Sequence, residues 1–132
     1  MHTRTATALA AALLLTACSP AGTDAKPKPS PTLSRRERFL AAVDQADLQS
    51  WNEKHPPENE LMEYPEKWCT ALNNGHSVKW MFHGDDDRLY PNGWTWGTKE
   101  ADAHELLILA VKAYCPKWRS QVVEELRSSG DY

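Results

Sequence analysis

The stretch TKEADAHELLILAVKAYCP, residues 98–116, decides the fold of this chain because its apolar residues recur at helical spacing. One face carries Ala103, Leu106, Leu107, Ala110 and Tyr114, and Ile108, Leu109 and Val111 extend the apolar surface nearly around the helix. A helix of this kind belongs at the centre of a domain. We expect Thr98 to cap its start, and Pro116 either to kink it or to open a last helix.

The segment before this central helix begins with a capping box, Ser34-x-x-Glu37, in which each side chain can bind the other residue's backbone N–H. Apolar residues at helical spacing follow, and they predict an amphipathic helix that runs to about Gln49. Residues 50–64 contain His55-Pro56-Pro57 and are predicted to be irregular.

Further helix signals flank the central helix on both sides. Pro65 suits a first helical turn, and Asn73-Asn74-Gly75 is typical of a helix end. Ser77 can cap a shorter helix from Val78 to Phe82, and the last helix has apolar residues at i, i+4 and i+8: Trp118, Val122 and Leu126. Because no alternating strand pattern appears, we predict an all-α domain over residues 34–130, a small bundle of four to five short helices stapled by one disulfide.

Length and charge narrow the class of protein. The 132 residues allow one domain, and 25% charged residues with 41% hydrophobic ones argue against a wholly disordered chain. A net charge of -3 argues against nucleic acid as a partner, because a nucleic-acid binder presents a basic face.

The N-terminal residues predict export. The apolar run from Ala6 to Leu15 follows Arg4 and is shorter than the roughly 20 residues of a membrane-spanning helix. It matches the apolar region of a secretory signal peptide, which we place at residues 1–17.

Leu15-Thr16-Ala17-Cys18 resembles the bacterial lipobox, in which the Cys is acylated and becomes the mature N-terminus. Acyl chains such as palmitate on Cys18 would anchor the protein in the bilayer, at the extracytoplasmic face of the cell membrane. Residues 18–33 contain four Pro residues and are expected to form an extended stalk. The alternative is an ordinary cleaved signal in which Cys18 is incidental.

The remaining cysteines, Cys69 and Cys115, form an even pair once Cys18 is set aside. In an oxidising compartment we expect a disulfide between them, and closing this loop contributes about 4 kcal/mol in the chain-entropy model. A metal-binding pair and a catalytic thiol are the alternatives; no Cys-x-x-Cys spacing supports the metal pair.

Two segments together, Trp68-Cys69-x-x-Leu72-x-x-Gly75 and Ala110-Val111-x-x-Tyr114-Cys115-Pro116, resemble a family of small exported actinobacterial domains of unknown function. Phe39-Leu40-x-x-Val43 also fits, so the resemblance covers roughly residues 34–118. It implies a helical domain in which Cys69 pairs with Cys115, and it implies no activity. The chain departs from the family pattern in a longer loop, residues 85–97, and in a further helix after Pro116.

The loop with Tyr90, Trp94 and Trp96 is the predicted ligand or partner contact. In an extended backbone both Trp rings point to one side, where they either cover the core as a lid or offer a contact surface. The preceding His83-Gly84-Asp85-Asp86-Asp87 is either a solvated acidic loop, which we favour, or a weak calcium or zinc site.

No catalytic residue, cofactor or metal site is predicted. His55, His76 and His104 show no ligand set, and His104 is expected at the edge of the core. Known catalytic and nucleotide-binding motifs are missing, which lowers the odds of an enzyme. The leading hypothesis is an envelope lipoprotein whose helical domain binds an envelope protein. Alternatives are a ligand-binding or hydrolytic module for cell-wall material and a phage-encoded surface exclusion lipoprotein.

Overall fold

A computed structural model describes residues 32–84, 89–91 and 96–131. Within these ranges the protein is all-α, with no strand, as predicted. There are five helices of six residues or more: α1 (Arg35–Gln45), α3 (Tyr64–Asn73), α4 (Val78–His83), α5 (Glu100–Tyr114) and α6 (Arg119–Ser129). The described residues also include a single α-helical turn, α2 (Glu58–Leu61), and the 3-10 turns Gln49–Trp51 and Pro116–Trp118. The predicted signal peptide and most of the stalk, including Cys18, lie outside the described residues.

The central position of α5 follows from its composition. Nine of its fifteen residues are buried, and α5 contacts α1, α3 and α6. Leu106, Leu107 and Val111 are fully enclosed, as the all-round apolar pattern predicts. Tyr114, at its end, is partly buried and meets Phe39 of α1 edge-on, with 6.2 Å between ring centroids.

Helix α1 begins where the capping box predicts. The Glu37 N–H donates to Ser34 Oγ at 3.2 Å, and the Ser34 N–H donates to Glu37 Oε2 at 2.7 Å. The predicted end at Gln49 is wrong, because the backbone of Ala46 is already extended. Residues 49–51 form a separate 3-10 turn, which the buried Trp51 fixes to the core.

Two other expectations need correction. Residues 50–64 are not wholly irregular, since they include part of the turn Gln49–Trp51 and all of α2. Thr98 does not cap α5: the cap residue is Lys99, and the Thr98 hydroxyl instead accepts a hydrogen bond from Trp51 Nε1 at 3.0 Å. A buried indole N–H needs an acceptor. The Thr98 hydroxyl, which the local sequence predicts as a helix cap, serves instead as this acceptor in the core.

The disulfide between Cys69 and Cys115 is formed, with 5.9 Å between the Cα atoms. It joins the middle of α3 to the residue that ends α5. Pro116 follows directly and opens a 3-10 turn before α6, which resolves the choice between a kink and a new helix. Among the described residues, none of the helices is both long and apolar enough to cross a membrane.

Candidate functional site

A cavity of about 660 Å³ lies between α4 and α6. Its wall consists of residues from the start and end of α4, from α5, from α6 and from the chain after α6: Ser77, Val78, Lys79, His83, His104, Gln121, Glu124, Glu125, Leu126, Ser128, Ser129 and Asp131. The volume is within the range of small-ligand sites, and polar side chains of both charge signs reach it.

Glu125 of α6 lines the cavity and joins α6 to the start of α4. Its Oε2 accepts a hydrogen bond from the backbone N–H of Val78 at 2.6 Å, and its Oε1 accepts one from Gln121 Nε2 at 2.8 Å. A helix leaves its first N–H groups without partners inside the helix, and here a side chain of the neighbouring helix supplies one. Glu125 therefore fixes the start of α4 against α6.

His104 is the buried polar side chain of this site. It is 3% exposed, and its ring stacks on Phe82 of α4 with 5.5 Å between centroids. Within the described residues its Nδ1 has no hydrogen-bond partner, which is rare for a buried polar atom. Burial lowers the pKa of His104, although the carboxylates of Asp131 and Glu100 act in the opposite direction. The lowered pKa favours the neutral imidazole, in which one ring nitrogen is a donor and the other an acceptor.

Two carboxylates approach this imidazole. Glu100 lies one turn before His104 on α5, and its Oε1 is 4.0 Å from His104 Nε2. Each of Glu100, His104 and Asp131 offers a ligand atom, and these atoms lie within 4.8 Å of one another. Both carboxylates are exposed, whereas the imidazole is enclosed, so the cluster sits at the boundary between core and solvent.

Asp131 owes its position to the end of α6. Gly130 has φ +85°, the left-handed conformation that glycine adopts without strain, and the Asp131 N–H donates to Leu126 O at 2.9 Å. This is the hydrogen bond of a Schellman helix end. It turns the chain back at the end of α6 and brings Asp131 to the face on which His104 lies.

His83 ends α4 and extends the cluster. Its Nε2 lies 2.9 Å from Glu100 Oε1, and both side chains are about half exposed. The sequence grouped His83 with the acidic run 85–87, which lies outside the described residues. In the described part of the chain, its carboxylate partner comes instead from α5.

The predicted contact residues do not form a joint exposed surface in the described part of the chain. Trp96 is 3% exposed, with its ring edge-on to Trp51 and Tyr64 and its Nε1 3.2 Å from Glu60 Oε2. This burial favours the lid interpretation for Trp96. Trp94 lies outside the described residues.

Tyr90 is partly buried beside the same core. Its hydroxyl donates to Thr98 O at 3.3 Å, and its ring meets Phe82 edge-on at 5.3 Å. Burial raises the pKa of Tyr90, and the carboxylates of Glu100 and Asp102 add to the rise. Tyr90 therefore joins the aromatic layer that also covers His104.

The structure exposes a different aromatic side chain. Trp80 on α4 is 48% exposed, and its ring stacks on that of His76 with 3.5 Å between centroids and 10° between planes. The sequence did not predict this pair, because His76 precedes the cap residue Ser77 and the i, i+4 rule applies only within a helix. Glu100 and His104 lie four residues apart within α5, and this spacing is the sequence signal for their proximity.

Comparison of the chain with protein-family models, with curated proteins and with solved structures finds no match in any of the three.

Proposed function

We propose that this protein is an extracytoplasmic lipoprotein, anchored in the cell membrane through acylated Cys18, whose helical domain binds a protein of the envelope. The observation that supports a lipid anchor at Cys18 is the disulfide between the other two cysteines. Cys69 and Cys115 are bonded to each other, so Cys18 is the one cysteine outside the pair. It follows Leu15-Thr16-Ala17, the pattern of a lipid-acceptor site. A structural disulfide also supports an oxidising compartment.

The same disulfide supports the proposed family. The resemblance to small exported actinobacterial domains of unknown function implies that Cys69 pairs with Cys115, and these residues are bonded. Leu72 and Val111, which belong to the segments that carry the resemblance, are buried core residues. The resemblance to this family supports an exported location and implies no activity.

The exposed stack of Trp80 on His76 supports protein binding by the helical domain. Trp is enriched among the residues that contribute most to protein interfaces. The stack also holds the indole in place, which reduces the side-chain entropy that binding would otherwise cost.

The anchor is tested by the location of the full chain. We expect the natural protein in the membrane fraction, labelled by a palmitate analogue, and Cys18→Ala unlabelled and released. Ser19→Ala is the matched control, because it leaves the acceptor thiol in place and should remain membrane-bound. Retention and labelling of Cys18→Ala would contradict the proposal.

Partner binding is tested by cross-linking the full chain in intact cells. We expect a specific envelope protein to be captured, and Trp80→Ala to reduce its yield. Leu33→Ala is the control, because Leu33 is also exposed, at 52%, and lies before α1. Equal capture by the natural chain and Trp80→Ala would remove Trp80 from the interface; Trp94→Ala tests the predicted contact loop in the same way.

The second candidate function is a ligand-binding or hydrolytic module for cell-wall material. The cavity between α4 and α6 favours it, because His104 and Asp131 both line this space. Purified wall fragments that bind the full chain saturably, and less tightly when Lys79 is replaced by Ala at the cavity wall, would place this candidate first.

A further inference from the structure

Glu100, His104 and Asp131 bring two carboxylates and one imidazole to a single point of the molecule. Their ligand atoms lie within 4.8 Å of one another. Ligand atoms about 2.1 Å from a tetrahedral ion are about 3.4 Å apart. The exposed side chains of Glu100 and Asp131 can rotate to bring their oxygens to this shorter distance from His104. His104 itself is fixed by its stacking on Phe82.

The negative charges of Glu100 and Asp131 favour binding of a cation at the cluster. The two carboxylates carry a formal charge of -2 when ionised, which a divalent ion balances. In the buried imidazole of His104, Nδ1 has no hydrogen-bond partner among the described residues, and Nε2 lies 4.0 Å from Glu100 Oε1. An imidazole nitrogen is the atom type that zinc and similar ions prefer over calcium. A cluster of carboxylates alone would not distinguish these ions, so His104 is the deciding residue.

His83 contacts one of the proposed ligands, Glu100. Its Nε2 lies 2.9 Å from Glu100 Oε1 and orients that carboxylate. Metal-binding side chains commonly have such a second partner, which fixes their direction and tunes their affinity. Here the second partner comes from a different helix, so an ion at the cluster also ties α4 to α5.

We propose that Glu100, His104 and Asp131 bind one divalent transition-metal ion, with His83 as the positioning residue for Glu100. Three protein ligands leave at least one coordination position of a tetrahedral ion for water or another molecule. Because His104 and Asp131 also line the cavity between α4 and α6, an ion held here borders that space. The site is independent of the lipid anchor and of the Trp80 surface.

The test is calorimetric titration of the full chain with ZnCl₂, in a Cys18→Ser background that removes an unrelated thiol ligand. We expect saturable binding of one Zn²⁺ per chain. CoCl₂ should then give the visible absorption of a four-coordinate ion. CaCl₂ should bind more weakly than ZnCl₂, since calcium prefers six to eight oxygen ligands.

Variants separate this site from adventitious binding. Glu100→Gln and Asp131→Asn should each weaken Zn²⁺ binding at least about tenfold, as should His104→Gln, whereas His83→Gln should weaken it about tenfold through Glu100. Glu124→Gln is the matched control, because Glu124 is exposed at the same cavity and lies outside the cluster. Its affinity should equal that of the unchanged chain.

Two results would overturn the site: no saturable Zn²⁺ binding, or equal affinity in Glu100→Gln, Asp131→Asn and the unchanged chain. Both carboxylates are exposed, so these variants remain folded even if His104→Gln does not. Circular dichroism on each variant verifies this. Tighter binding of Ca²⁺ than of Zn²⁺ would overturn the assignment to a transition metal.

Discussion

The carboxylate of Asp102, in the first turn of α5, accepts hydrogen bonds from both the backbone N–H and the hydroxyl of Ser50. The same Ser50 hydroxyl accepts from the backbone N–H of Lys99, at 3.1 Å. This three-residue network joins the turn Gln49–Trp51 to the start of the central helix. It explains how the buried carboxylate of Asp102 is satisfied.

We expect Asp102→Ala to lower the free energy of unfolding by about 2–3 kcal/mol, because it leaves two Ser50 donors without their charged acceptor. Urea unfolding monitored by circular dichroism measures the change. Asp47→Ala is the control, since Asp47 is exposed, and it should change stability by less than about 0.5 kcal/mol. Equal effects of the two variants would show that the network contributes nothing specific.

Loss of the disulfide should be costly. Cys69→Ser removes a link across 46 residues and should reduce stability by about 2–5 kcal/mol. In a domain of this size the melting temperature should fall by about 10 °C or more. Cys18→Ser is the matched control and should leave the melting temperature unchanged. A melting temperature for Cys69→Ser equal to that of the control would mean that the bond contributes little to folding.

The hydrogen bond between Trp51 and Thr98 offers a conservative test of the core. Thr98→Val keeps the shape of the side chain and removes the acceptor of a buried indole N–H, so we expect a loss of about 1–3 kcal/mol. Chemical unfolding is the measurement, and Thr70→Val, at an exposed position of α3, should cost less than about 0.5 kcal/mol. No difference between the two Val variants would contradict this role for Thr98.

Trp96→Ala distinguishes the lid from the contact surface. The ring is enclosed by Trp51 and Tyr64, so its removal leaves a cavity and should cost about 3–5 kcal/mol. Thermal unfolding checks this, with Trp80→Ala as the control because that ring is half exposed. A nearly unchanged melting temperature together with lost partner binding would favour the contact surface instead.

Local signals predicted the helices well wherever no distant residue competed. The Ser34–Glu37 capping box, the Ser77 cap and the end at Asn73 involve atoms only a few positions apart, and all are present. Thr98 failed as a cap because Trp51, far along the chain, takes its hydroxyl. The end of α1 was misplaced because the helical spacing of apolar residues runs to Ala46, whose backbone is already extended.

The candidate site was less accessible to sequence reasoning than the fold. Glu100 and His104 share a helical face, but Asp131 and His83 come from other elements and join them only in the folded chain. The sequence alone determined the helical class and the apolar centre, since these follow from periodicity. It also predicted the pairing of Cys69 with Cys115, which the structure shows. The tertiary structure alone decided that Trp96 is buried, that Trp80 is exposed and that four polar side chains meet beside one cavity. Burial and proximity are properties of packing between elements, and no local pattern encodes which elements will meet.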